Sequence, residues 1–221
     1  MSRKKDKRDE FLELVPPNTK TLLDVGCGAG GLSAGLKEKG IKVIGLEKIE
    51  KLCSIAKDKL DEVIAGDIEN TRLNYPEGYF DCIMYADVLE HLVDPLSVLQ
   101  KHRVHLQKDG FVITSIPNAR YYKIILRLIL GGTWDYSDAG ILDRTHVRLF
   151  GLINSVELFE KAGYEIVEIK RNIIASRGFR ILNILFFNTL KNFLTYQYYI
   201  KAKKNDNLPK IAMSQRKIYK F

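Results

Sequence analysis

The feature that most constrains this chain is an alternation. Between residues 20 and 116, short apolar, β-rich runs are separated by helical patterns several times over. Neighbouring strands joined through helices run parallel, so the fold expected is α/β, an open and mostly parallel sheet with helices on both faces. The strand runs are 20–25, 42–46 (KVIGL), 62–65 (EVIA), 79–85 (YFDCIMY) and 111–116 (FVITSI). Helices are expected over 30–39, 49–60 and within 88–106, and Lys108-Asp109-Gly110 is expected to turn the chain into the fifth strand.

The first strand runs into LLDVGCGAGG, residues 22–31. Glycines between a strand and a helix let the backbone come close to a ligand and present free N–H groups to it. Two patterns overlap here: Gly26, Gly28 and Gly31 spell G-x-G-x-x-G, the dinucleotide fingerprint, while Gly26, Gly28 and Gly30 spell G-x-G-x-G, that of S-adenosylmethionine binders. The loop leaves both open. Glu47, at the end of the second strand, is placed to accept hydrogen bonds from a ribose diol in either case. Discrimination comes from Asp24 and Asp67. An acid ahead of the glycines suits a cationic ligand, with its ammonium and sulfonium, better than a pyrophosphate. Gly66-Asp67-Ile68 ends the third strand, where Asp67 can meet an adenine amino group while Ile68 covers the ring.

The second half changes character. An apolar helix is expected over 119–130, a loop-rich stretch holding the only Trp over 131–150, and a helix over 152–162 ended by Gly163. Strand 164–170, an amphipathic helix over 178–194 and a last strand over 195–203 follow. The organisation expected is one domain over 1–203, with helical additions at about 119–162 and 178–194, and a basic tail over 204–221. The net charge of +8 lies at the ends, and residues 201–221 carry seven Lys or Arg against one acid, Asp206. Basic ends suit solvated tails, a phosphate-rich partner or peripheral contact with an anionic membrane. Three cysteines without a C-x-x-C pair, and no leading secretory segment, point to a reduced, cytoplasmic protein. No run reaches the ~20 apolar residues of a membrane span.

These motifs together, LDVGCGAGG (23–31), Glu47 after VIGL, AGDIE (65–69), FDCIMYADVLEHLVDP (80–95) and LQKDGFVITSIPN (106–118), resemble the class I S-adenosylmethionine-dependent methyltransferases. The resemblance covers roughly 11–203. It implies a Rossmann-like seven-stranded sheet of order 3-2-1-4-5-7-6, with S-adenosylmethionine bound across the carboxyl ends of strands one to four and S-adenosylhomocysteine as product. It also implies that Asp24, Gly26, Cys27, Gly28 and Gly30 surround the methionine part, Glu47 the ribose, and Asp67 and Ile68 the adenine. Ala86 and Asp87 would border the methyl group, and His91 of the EHL sequence either lines the site or caps the helix there. LDRTHVRLF (142–150), after SIPN and GGTW, resembles a bacterial and archaeal subgroup encountered beside sugar-transferring enzymes. That favours a small-molecule acceptor, saccharide or lipid-linked, methylated at a hydroxyl. His146 is then the expected general base and Asp143 its orienting partner, with Arg144 or Arg148 available to an anionic acceptor.

No metal is expected, and His102 and His105, at H-x-x-H spacing without acidic or Cys partners, are read as surface residues. Nucleic acid is not an expected partner, since the N-P-P-Y-type sequence of amino-methylating DNA enzymes is absent after strand four. The competing readings are a regulatory protein that binds the cofactor without catalysis, and an NAD-dependent oxidoreductase, which Asp24 and Asp67 oppose.

Overall fold

The computed structural model describes residues 7–206, and the expected basic tail lies outside the described residues apart from 204–206. Seven strands form one sheet: β1 (Thr21–Val25), β2 (Lys42–Glu47), β3 (Glu62–Ala65), β4 (Phe80–Ala86), β5 (Leu106–Pro117), β6 (Tyr164–Ile173) and β7 (Thr195–Lys204). Their order is β3-β2-β1-β4-β5-β7-β6, as expected. The first five pair in parallel, and β7 inserts antiparallel between β5 and β6.

Period-two alternation explains why the central strands are apolar throughout. Leu23, Val25, Ile83 and Tyr85 face one buried cluster, while Leu22, Cys82 and Met84 face another on the opposite side. The chain leaves β1 and β4 towards opposite edges of the sheet. The loops beyond their carboxyl ends therefore flank a crevice, the place where open α/β sheets bind ligands.

Around the sheet lie α1 (Lys7–Leu12), α2 (Ala34–Lys37), α3 (Glu50–Lys57), α4 (Pro95–Arg103), α5 (Tyr122–Gly131), α6 (Leu152–Lys161), α7 (Arg177–Leu185) and α8 (Lys191–Leu194). Four expectations need correction. The helix at 30–39 contracts to α2, because Gly30 adopts φ +71° and residues 31–33 are spent on the turn. The helix at 178–194 breaks into α7 and α8. Phe187 and Asn188 take positive φ between them, and Asn183 Oδ1 accepts from the Leu190 N–H, offering the backbone an alternative to helix. Lys108-Asp109-Gly110 does not precede β5 but bulges within it. Leu106 already pairs with Phe80, and the next pair is Cys82 with Phe111. His102 is no surface residue: it is fully buried on α4, sharing a 2.9 Å hydrogen bond with the Tyr85 hydroxyl. Burial pushes its pKa down to about 3, so the ring is neutral.

Gly45 shows how tightly β2 packs against the glycine loop. A Cβ there would lie 2.5 Å from Cys27 Sγ and 2.9 Å from Leu60 Cδ1. Gly45→Ala is expected to destabilise the protein by about 1–3 kcal/mol through overpacking, measurable by urea unfolding.

Candidate active site

The loop after β1 answers the question its glycines pose. Gly26, Gly28 and Gly30 adopt φ of +72°, +55° and +71°, whereas Gly31 is not among the glycines with positive φ. The left-handed positions are thus the G-x-G-x-G set. The loop is tied to β2 by the N–H groups of Gly26 and Cys27, which donate to the Leu46 carbonyl at 2.8 and 3.2 Å. Glu47, 7% exposed, completes the tie. Its Oε2 accepts from the Gly28 N–H, and its Oε1 from the N–H groups of Lys48 and Ile49, all at 2.9 Å.

Asp24 sits beneath the loop, 2% exposed, and accepts a 2.6 Å hydrogen bond from the Ser33 hydroxyl. Burial, helped by the charge of Glu47, raises its pKa from 3.8 to about 7. The folded state therefore holds a proton that the unfolded chain releases. The associated stability is fully present below about pH 4 and is lost as pH rises through about 7. Asp24→Asn should remove this dependence. Between pH 4 and 8 the stability difference between variant and wild type is expected to move by roughly 4 kcal/mol in the variant's favour, read by urea unfolding of the ligand-free protein.

Cys27 is correctly located but turned inward. Its thiol packs against Gly45, and burial pushes its pKa up to about 12, so the thiol stays protonated. Asp67 is held by its own turn, its Oδ1 accepting from the Glu69 N–H at 2.9 Å. Ile68 lies beside the glycine loop, with Cδ1 3.6 Å from where a Cβ on Gly26 would be. Gly26, Gly28, Glu47 and Ile68 thus come together at the carboxyl ends of the first strands, whereas the Asp24 carboxyl and the Cys27 thiol are turned into the interior, away from where a cationic ligand would meet the loop.

At the end of β4, Ala86 pairs with Ser115 and Asp87 turns the chain with φ +55°. This conformation is costly for a residue with a side chain and is held by its surroundings. The Asp87 N–H donates to Ser115 Oγ, that hydroxyl donates to Asp87 Oδ1 at 2.9 Å, and Gln197 Nε2 donates to the same oxygen. Burial raises the Asp87 pKa above the ordinary carboxylate value.

Beyond it, a 3-10 turn over Leu89–His91 meets the loop 142–150. Val147 and Arg148 N–H groups both donate to the Glu90 carbonyl at 2.9 Å, and the Arg148 guanidinium donates to the Val93 carbonyl. Those stitches bring the rings of His91 and His146 to 4.7 Å, edge to face. His146 Nδ1 lies 2.9 Å from the Ile141 carbonyl, and its Nε2 lies 4.0 Å from Glu90 Oε1. Glu90 is the residue the sequence reading missed, although it stands within the EHL sequence quoted for its histidine. It is 1% exposed, and burial together with the Asp87 charge pushes its pKa up to about 8.

Asp143 does not orient His146. Its Oδ1 accepts from the Thr145 N–H at 2.8 Å and the Thr145 hydroxyl at 2.6 Å, the local bonds an Asp in a turn favours. The Thr145 hydroxyl is in turn 3.1 Å from His91 Nδ1, so Asp143 reaches the other histidine. Arg144 pairs with Asp138, and Arg148 serves as a stitch. A cleft of about 390 Å³ is lined by residues including Tyr121, Lys123, Tyr136, Ile141 and Tyr196; it meets the cluster through Ile141, which holds His146, while Asp87, Glu90, His91 and His146 are not part of its wall.

Relatives share this architecture. Among solved structures, a methyltransferase from Archaeoglobus fulgidus aligns with TM-score 0.68 and 20% identity over 89% of this chain and 92% of its own. A possible histamine N-methyltransferase from Thermotoga maritima aligns with TM-score 0.64 and 20% identity over 89% and 87%. At that identity the likeness concerns fold. The ubiquinone biosynthesis O-methyltransferase of Nitrosomonas europaea is 33% identical over 134 residues, 53% of this chain and 56% of that protein. The chain spans about half the length of the curated relatives it matches. A family model described as a methyltransferase domain matches residues 2–169. That match runs from the amino-terminal segment into β6 and takes in the glycine loop, Glu47 and the end of β4, and the chain belongs to the class I S-adenosylmethionine-dependent methyltransferases.

Proposed function

We propose that this protein transfers the methyl group of S-adenosylmethionine to a hydroxyl oxygen of a small molecule seated in the tyrosine-lined cleft. The observation that carries the reading is the meeting of Glu90, His91 and His146 just beyond Asp87 at the carboxyl end of β4, with Ile141 joining His146 to the wall of that cleft. The reaction is an in-line displacement: the new C–O bond forms as the S–C bond breaks, and S-adenosylhomocysteine leaves. Much of its catalysis is alignment. The hydroxyl must also lose a proton, and we assign that task to the histidine cluster, acting through His146. Asp143, by way of Thr145, positions His91.

An oxygen acceptor accords with the name of the O-methyltransferase relatives. Tyr121, Tyr136, Tyr196 and Lys123 suit a hydroxylated ring, a saccharide among them. Ile129 and Leu130 on α5, Ile184 on α7 and Phe187 in the turn after α7 stand exposed, the last at 91%, which favours a lipid-linked acceptor met at a membrane surface, with help from the basic tail. No helix among the described residues is long and apolar enough to cross a membrane. The three cysteines are free and buried, in keeping with a cytoplasmic setting.

The test is release of S-adenosylhomocysteine over a panel of sugars, sugar nucleotides, phenols and lipid-linked precursors, with the methylated product identified by mass. Methylation of at least one hydroxyl acceptor is the expected result. Cofactor binding without turnover on any acceptor would favour the regulatory reading, and binding of NADH but not S-adenosylmethionine would revive the oxidoreductase.

A further inference from the structure

We propose that Glu90, His91 and His146 form a binding site for one divalent transition-metal ion of the zinc class. Their ligand atoms lie within 4.8 Å of one another. A tetrahedral ion with bonds of about 2.0 Å sets its ligands about 3.3 Å apart, so modest side-chain rotation closes the site.

The two imidazoles are already in the tautomer a metal needs. His91 Nδ1 lies 3.1 Å from the Thr145 carbonyl, and His146 Nδ1 lies 2.9 Å from the Ile141 carbonyl. A carbonyl only accepts, so each Nδ1 carries the proton and each Nε2 keeps its lone pair. Such backbone or carboxylate support behind the far nitrogen accompanies most metal-bound histidines, and the Asp143–Thr145 pair adds to it behind His91.

Glu90 supplies the independent observation. Neither of its carboxyl oxygens has a hydrogen-bond partner, although the side chain is buried. A carboxyl group sealed away from water without a donor is costly, and a cation satisfies it. An ion pair with His146 alone does not. The 4.0 Å separation exceeds a hydrogen bond, and it leaves the second oxygen of Glu90 and Nε2 of His91 without a role. Two imidazoles and one carboxylate select zinc and its neighbours over magnesium or calcium, which prefer all-oxygen shells.

Three protein ligands leave a fourth position for the acceptor, the arrangement of catalytic rather than structural sites. The inference here rests on the O-methylation reading and deepens it. A hydroxyl bound to the ion gives up its proton to solvent more readily before its oxygen attacks the methyl carbon, and His146 then serves as a ligand.

The experiment uses the full chain, stripped with a chelator and titrated with Co²⁺ and then Zn²⁺ without cofactor or acceptor, followed by calorimetry and visible absorption. One equivalent of Co²⁺ with tetrahedral absorption bands, displaced by Zn²⁺, is expected. Glu90→Gln and His146→Ala should each weaken Zn²⁺ binding by roughly a hundredfold or more. Both should keep a cooperative melt and S-adenosylmethionine binding; should Glu90→Gln fail to fold, His91→Ala replaces it. Failure of the wild type to bind, or affinity unchanged in the variants, overturns the site. Stoichiometric binding without turnover on any acceptor upholds the site and sinks O-methylation instead. Undiminished turnover by the stripped protein overturns the ion's part in catalysis.

Discussion

His146→Ala is expected to lower turnover on the true acceptor by roughly two to four orders of magnitude. The ring stands where three requirements meet: its Nε2 faces the buried Glu90, its Nδ1 is fixed by Ile141, and its edge packs against His91. Its hydrogen-bond, ion-pair and ring partners among the described residues are Ile141, Glu90 and His91, not the glycine loop, Glu47 or Asp67, so S-adenosylmethionine affinity should stay within a few-fold of wild type. The loss should therefore fall on kcat and on the acceptor's KM, not on the cofactor. Equal turnover by variant and wild type, measured as S-adenosylhomocysteine release, would remove His146 from the chemistry whether it acts as base or as ligand. Asp143→Ala should cost less, because that carboxylate reaches only His91, and through a hydroxyl.

The second large effect concerns the cofactor. Gly26→Ala is expected to weaken S-adenosylmethionine binding by roughly ten- to a hundredfold, since an alanine must adopt φ +72° with its Cβ 2.7 Å from Val88 Cγ2. Val88 follows Asp87 directly, so relief of that clash disturbs the methyl end of the site as well as the loop. Gly31→Ala supplies the contrast. Its backbone is not left-handed and a Cβ there meets nothing within 4 Å, so affinity should change by no more than about twofold. Calorimetric titration of both variants distinguishes the two glycine patterns that overlap in the sequence. Comparable losses in the two would contradict the structure's choice.

The placement of the strand-end acids was legible because a parallel sheet converts sequence position into spatial position. Asp24, Glu47, Asp67 and Asp87 each stand at or beside the carboxyl end of a strand, and those strands neighbour one another, so locating the strands locates the acids. Nothing equivalent gives the histidine cluster away. His91 and His146 are distant in sequence, and they meet only because the 142–150 loop folds back onto the Glu90 carbonyl. The H-x-x-H spacing of His102 and His105, read as a surface pair, divides instead: one ring is buried against Tyr85 and the other reaches the Pro76 carbonyl. Glu90 escaped notice for a related reason. A glutamate in a turn reads as solvent-facing, and only the packed structure reveals it as interior. The split between α7 and α8 hid in side chains, since Asn183 fits an amphipathic pattern while its amide oxygen takes the Leu190 N–H and its nitrogen donates to Asn188.

The late strand β7 carries a consequence for the order in which the protein becomes competent. Its Gln197 anchors the strained Asp87, and Tyr196 walls the cleft, yet both belong to the strand that leaves the ribosome after every other strand of the sheet. A nascent chain has its glycine loop and the five parallel strands while Asp87 still lacks that anchor and β6 still lacks its partner strand. Synthesis therefore delivers last the strand that holds Asp87 and walls the tyrosine-lined cleft, so both await the completion of β7.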